Sequence, residues 1–167
     1  MAPAETLLAE LVAAFLAAVT RTQGDNLRVA LHFGSTVKGL VRHDTDVDLI
    51  MGFRKVPSSR FDRLCFLDDA ETQVSPIQKR LLDLGYHVEL SPIVRTVAEF
   101  ECFSPLYLDM TWSSAILFDP DNLGADVLKK TAAWIQTSGA RRVQRGELWY
   151  WELKPDYKPG DQFKVGF

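Results

Sequence analysis

Residues 31–52 read LHFGSTVKGLVRHDTDVDLIMG, and the reading of this stretch decides the rest of the chain. The run DVDLIMGF at residues 46–53 is a β-branched and apolar strand. Residues two apart on a strand point to one face, so Asp46 and Asp48 project together while Val47, Leu49 and Met51 take the other. Two carboxylates side by side repel, and ionising both is unfavourable unless a cation lies between them. Hard carboxylate oxygens suit Mg²⁺, which binds through one or two carboxylates plus substrate phosphates. Upstream, RVALHF at residues 28–33 is a second strand that stops at Gly34-Ser35, before a turn or two of helix over residues 36–41. A glycine at such a junction lets the backbone approach a ligand, and free N–H groups at a helix start bind phosphate. Ser35 adds a hydroxyl donor, Gly39 keeps the loop slim, and Lys38 or Arg42 supplies positive charge for phosphates. Asp-x-Asp alone or Gly-Ser alone is weak; strand, Gly-Ser, helix, strand and Asp-x-Asp in this order, with ten residues between Ser35 and Asp46, are specific.

Outward from this stretch, strands alternate with helices. Residues 4–21 carry Leu8, Leu11, Val12, Phe15, Leu16 and Val19 at helical spacing, with a stop near Gly24. Residues 59–72 read as helical. Ser75-Pro76 then opens a helix over residues 76–84, with Ser75 as N-cap, Pro76 at the first helical position and Gly85 past its end. A strand follows over residues 86–94. Thr96 and Glu99 have capping-box spacing for a short helix, and Ser104-Pro105 repeats the cap-and-proline start. A strand over residues 115–118, a helix over 121–138 ending at Gly139, and a hairpin over 141–153 turning at Arg145-Gly146 complete the chain before a Pro/Gly-punctuated tail. The pattern predicts an α/β (α+β) fold with a mixed sheet flanked by helices. One domain spans residues 1–167, with a core over about residues 25–120 and a C-terminal helix, hairpin and tail over 121–167.

Composition bounds the function classes. With 47% hydrophobic and 25% charged residues among 167, the chain is of ordinary globular make-up. A net charge of −3 and a pI near 5.6 provide no global basic field for a nucleic-acid backbone. Cys65 and Cys102 lack metal-type spacing and read as reduced core thiols. Glu5 and Glu10 stand where a signal peptide needs positive charge, and the apolar run over residues 11–19 is too short to span a bilayer, so a cytoplasmic location is expected with no membrane partner. No Walker-type loop, GxGxxG or Gly-x-Ser-x-Gly elbow is present. His32, His43 and His87 make no metal triad. Trp149, Tyr150 and Trp151 invite a base-stacking reading, but strand alternation favours packing for the tryptophans. Arg141, Arg142 and Arg145 form a local positive patch suited to an anionic partner.

FGSTVKG…HDTDVDLI resembles the signature of the DNA polymerase beta-like nucleotidyltransferase superfamily in its minimal, stand-alone form. The motif covers about an eighth of the chain, and PLYLDM and WYWELKPDYKPGD look like segments of a bacterial and archaeal subgroup of such proteins. Many members have Arg directly after Gly-Ser, where this chain has Thr36. The resemblance implies a polymerase beta-like fold, two Mg²⁺ ions (or Mn²⁺) on Asp46 and Asp48, and a third carboxylate on a later strand. Glu89 in YHVELSPIV is the choice for that position and Asp109 in PLYLDM the rival, while an exposed edge carboxylate is the alternative reading of Glu89.

By the same resemblance the expected activity is transfer of a nucleoside monophosphate, AMP from ATP, to an acceptor hydroxyl. Catalytic and metal-binding roles fall to Asp46, Asp48 and Glu89, and nucleotide binding to Gly34, Ser35 and Lys38. Stand-alone members are often encoded with a helical HEPN-domain ribonuclease and act as its antitoxin by adenylylating it, which names such a protein as the expected partner. Two alternatives stand beside this. One is a small-molecule transferase of the aminoglycoside-modifying kind, working as a homodimer with an acidic acceptor pocket; the other is a catalytically silent partner-binding module.

Overall fold

The computed structural model describes residues 3–146 and 148–167; Met1, Ala2 and Glu147 lie outside the described residues. Leu7, Leu8, Leu11, Val12, Phe15, Ala18 and Val19 make the buried stripe of helix α1 (Pro3–Gln23). At 21 residues α1 is long and apolar enough to cross a membrane by length and composition, more than the short apolar run suggests. Its stripe belongs to the protein core, packed with strand residues such as Ala30, Leu49 and Met51 and with Val74 and Leu81 of a second helix.

Four strands form one sheet in the order β3-β2-β1-β4: β1 (Leu27–Phe33), β2 (Asp44–Phe53), β3 (His87–Thr96) and β4 (Ser114–Phe118). β1 runs antiparallel to both β2 and β4, whereas β2 and β3 are parallel. The mixed sheet flanked by helices is thus the fold that the alternating pattern predicts. A parallel pair needs a crossover, supplied by α2 (Arg60–Leu64) and α3 (Asp68–Asp83). With α1, α3 covers the face that carries Val47, Leu49, Met51 and Phe53. On the other face, Val29, Leu31 and Ile50 pack against Phe100 of α4 (Val97–Glu101), Tyr107 and Met110 of α5 (Leu106–Met110), and Val127 of α6 (Leu123–Ser138). Gly52 permits that second layer its closeness: a Cβ there would stand 2.6 Å from Val29 Cγ1 and 3.4 Å from the Phe100 ring. β5 (Arg141–Arg145) and β6 (Leu148–Glu152) form a separate antiparallel hairpin.

Several local expectations need correction; at Ser104-Pro105, for one, Pro105 and not Ser104 takes the cap position of α5, and no side chain caps it. Ser75-Pro76 does not start a helix; Pro76 lies inside α3, which begins at Asp68 behind an acidic first turn. Pro76 has no N–H for the Thr72 carbonyl, and the Ser75 hydroxyl donates to that carbonyl at 2.9 Å instead. With the ring on the exposed side of the helix, burial of Ala70, Val74 and Leu81 outweighs the lost bond. Cys65 and Cys102 are free but exposed, not core thiols, since each lies at the end of a short helix at the edge of the packed layers. The capping box forms as the spacing predicts: Thr96 Oγ1 accepts from the Glu99 amide at 3.1 Å and Glu99 Oε2 accepts from the Thr96 amide at 2.8 Å.

Candidate functional site

β2 carries the first pair of side chains. The helical layer that buries Ile50 and Gly52 stops short of the N-terminal half of the strand, leaving Asp48 half-buried and Asp46 exposed on one face. Burial, and then the neighbouring charge of Asp46, push the Asp48 carboxyl above the usual carboxylate range. The pair is therefore short of positive charge.

The parallel register sets Glu89 of β3 opposite Asp46, and Ser91 opposite Asp48. Glu89 thus shares the face of the two aspartates, one strand away. Its carboxylate turns to His87, with Oε1 3.5 Å from Nε2, and His87 Nδ1 lies 3.6 Å from Asp44. Among the described residues no group of three or more His, Cys, Asp or Glu side chains converges closely enough to hold a metal ion. Asp109 is not on a strand. It sits on α5, where its Oδ1 accepts from Trp151 Nε1 at 3.0 Å and lies 3.8 Å from Arg142 Nε.

Where β1 ends, Gly34 adopts φ 82°, a left-handed value open to glycine. A Cβ at this position would overlap Asp48 Oδ2, so the glycine lets the backbone of the turn press against the carboxylate. The turn that follows, Ser35–Lys38, is 3₁₀ rather than α-helical. Its clasp is Gly39 N–H donating to the Thr36 carbonyl at 2.9 Å. Thr36 is only 3% exposed, and its Oγ1 shares a 2.7 Å hydrogen bond with His32 Nε2. His32 pairs with Leu49 in register, which places it on the α1 side of the sheet, behind the turn and away from the aspartates. Burial depresses its pKa, favouring the neutral ring. His43 bonds through Nδ1 to the Gly85 carbonyl at 2.9 Å and stacks on Tyr86.

A cleft of about 450 Å³ opens beside the turn, lined by Gly34, Ser35 and Lys38 together with Asp109, Trp112, Arg142 and Trp149. The hairpin is thus part of the site's surroundings. Trp149 is 51% exposed instead of packed in a core, because the hairpin lies outside the four-stranded sheet. Nothing in the linear sequence joins residue 142 to the Gly34 turn; a single arginine in a patch of three was the available signal.

These features define an α/β protein with a carboxylate pair on a central strand, set against a glycine turn and an aromatic cleft. No protein-family model matches the chain, and no curated protein does. Among solved structures it is similar to a crystal structure of a toxin-antitoxin with AMP-PNP, at 16% identity over 74% of this chain and 86% of that one, with a TM-score of 0.43. A crystal structure of a mutant of the toxin-antitoxin MntA-HpeT is similar at 14% identity over 73% of this chain and 84% of that one, with a TM-score of 0.39.

Proposed function

We propose that the chain is a Mg²⁺-dependent nucleotidyltransferase that moves AMP from ATP to an acceptor hydroxyl, the bond from the α-phosphorus to the bridging oxygen breaking as pyrophosphate leaves. The observation that carries this reading is the placement of Asp46, Asp48 and Glu89 on one sheet face, with the Gly34 backbone against Asp48. The donor set fits the metal: two adjacent hard carboxylates, one of which resists ionisation first because it is half-buried and then because of its neighbour, gain most from a divalent cation. Glu89, paired with Asp46 in register, would be the third ligand once released from His87. When bound, the ions polarise the phosphate and offset charge on the attacking and leaving oxygens. The amides after Gly34 and the Ser35 hydroxyl hold the β- and γ-phosphates, and Lys38 adds a cation. Glu89 receives the proton of the acceptor hydroxyl.

For the acceptor, the motif's resemblance to the stand-alone members supports a protein, a helical HEPN-domain ribonuclease that the modification silences. The test is incubation with Mg²⁺ and α-labelled ATP, with and without a helical protein encoded beside this one. Label is expected on the partner with wild type and at least about a thousandfold less with Asp46→Asn. No label on protein, nor on small polar acceptors with any of the four nucleotides, overturns the enzymatic reading.

A further inference from the structure

The cleft beside the glycine turn holds a cation that the motif does not contain. Arg142 of β5 lies between two indoles, its Cζ 4.5 Å from the centre of the Trp149 ring and 5.4 Å from that of Trp112. Its Nε is buried without a hydrogen-bond partner among the described residues. The nearby Asp109 Oδ1 stands 3.8 Å away, beyond hydrogen-bond reach, and already accepts from Trp151. That Nε edge faces Asp109 inside the wall, so it is the outer part of the guanidinium, where Arg142 lines the cleft, that can meet a ligand. Stacking also restricts the guanidinium plane, which spares part of the ordering cost when its fork meets a planar or tetrahedral anion. The other arginines of the patch are placed differently: Arg141 pairs with Glu152 at 2.6 Å, and Arg145 is exposed at the hairpin end.

The Gly34-Ser35 turn and Lys38 line the same cleft. The position directly after Ser35 cannot add a second charge, because Thr36 is buried and bonded to His32. We infer that Arg142 is a ligand of the donor nucleotide's polyphosphate, so that the C-terminal hairpin carries the second cation of the nucleotide site, lining the same cleft as Lys38. This inference rests on the nucleotidyltransferase reading and deepens it. Trp112, 67% exposed, and Trp149 then serve as a mount for the guanidinium, and Asp109 keeps its inner edge from turning outward.

Calorimetric titration in Mg²⁺ with three probes tests it: ATP, inorganic tripolyphosphate and adenosine. Arg142→Gln is expected to weaken ATP and tripolyphosphate by the same factor, roughly ten- to hundredfold, as for loss of one charge-assisted contact. Adenosine binding is expected to stay unchanged. Arg142→Lys, which keeps stem and charge but not the fork, is expected to weaken both by roughly three- to tenfold, and it carries the test if the glutamine variant melts early. Arg141→Gln should bind like wild type. Equal polyphosphate binding by wild type and both Arg142 variants overturns the inference and leaves the enzyme reading standing. Loss for ATP and adenosine but not tripolyphosphate overturns it in favour of a base contact. Failure of wild type to bind any probe overturns both.

Discussion

At the scale of single residues, the site trades stability for chemistry. Asp48 is held half-buried beside Asp46, an arrangement that costs folding free energy in the absence of a cation. Asp48→Asn removes the repulsion, so its melting temperature in metal-free buffer at neutral pH should rise by about 1–4 °C while nucleotide transfer is lost. A drop in melting temperature would mean that the carboxylate is a structural acceptor instead. Gly34→Ala should fail differently. Its Cβ meets the Asp48 carboxylate and its φ of 82° is one that alanine resists, at about 1–2 kcal/mol. The variant is expected to melt lower and to transfer at least about tenfold more slowly, since a turn displaced by an ångström misplaces the phosphates. Wild-type rates from Gly34→Ala would show that this close approach has no catalytic part.

Helix ends and interruptions are settled at the scale of elements. α3 runs through Pro76 because its buried face is worth more than one backbone bond, and Ser75 covers the orphaned Thr72 carbonyl. Pro76→Ala restores the amide donor on an exposed face and should stabilise by about 1 kcal/mol, the gain in helix bonding exceeding the proline's restriction of the unfolded chain. Chemical denaturation reads this directly. α4 depends on its box. Glu99 is held below its ordinary carboxylate range first by the Thr96 amide and then by Arg63, whose Nη1 lies 3.0 Å away. A depressed folded-state pKa contributes stability above the unfolded value, near 4.3, and that stability is lost as pH falls through the folded pKa. Glu99→Gln should therefore be less stable at pH 7, by under about 1 kcal/mol given the exposure of the pair, with the difference from wild type closing below about pH 4. A gap independent of pH would assign the loss to packing. The Thr96-Glu99 box was legible in the sequence because both partners lie within one turn. The Pro76 interruption was not, because a proline reads the same at a helix start and on the exposed face of a longer helix.

For the whole molecule, the four-stranded sheet separates two helical layers, and the carboxylate end of β2 escapes cover together with Glu89 and Ser91 of β3 beside it. Leu11, wholly buried between α1 and the sheet, reports on the first layer. Leu11→Ala should cost about 2–5 kcal/mol, or roughly 5–15 °C in melting temperature, without altering nucleotide affinity at temperatures where the variant is folded. A selective loss of affinity would instead couple α1 to the turn through His32 and Thr36.

By itself the sequence determined the strands, the shared face of Asp46 and Asp48, the glycine turn before them, the capping box and the hairpin. Each is a matter of spacing within a few residues, where alternation and turn chemistry act directly. Only the tertiary structure decided that β3 pairs with β2 in the register that sets Glu89 across from Asp46. It also placed Asp109 against the hairpin's Trp151, and Arg142 over two indoles in the cleft that Lys38 also lines. Strand order and register follow from which faces bury together across the whole chain, since closing one long loop rather than another differs little in entropy. Contacts between residues so far apart in the chain therefore leave no local periodicity to read.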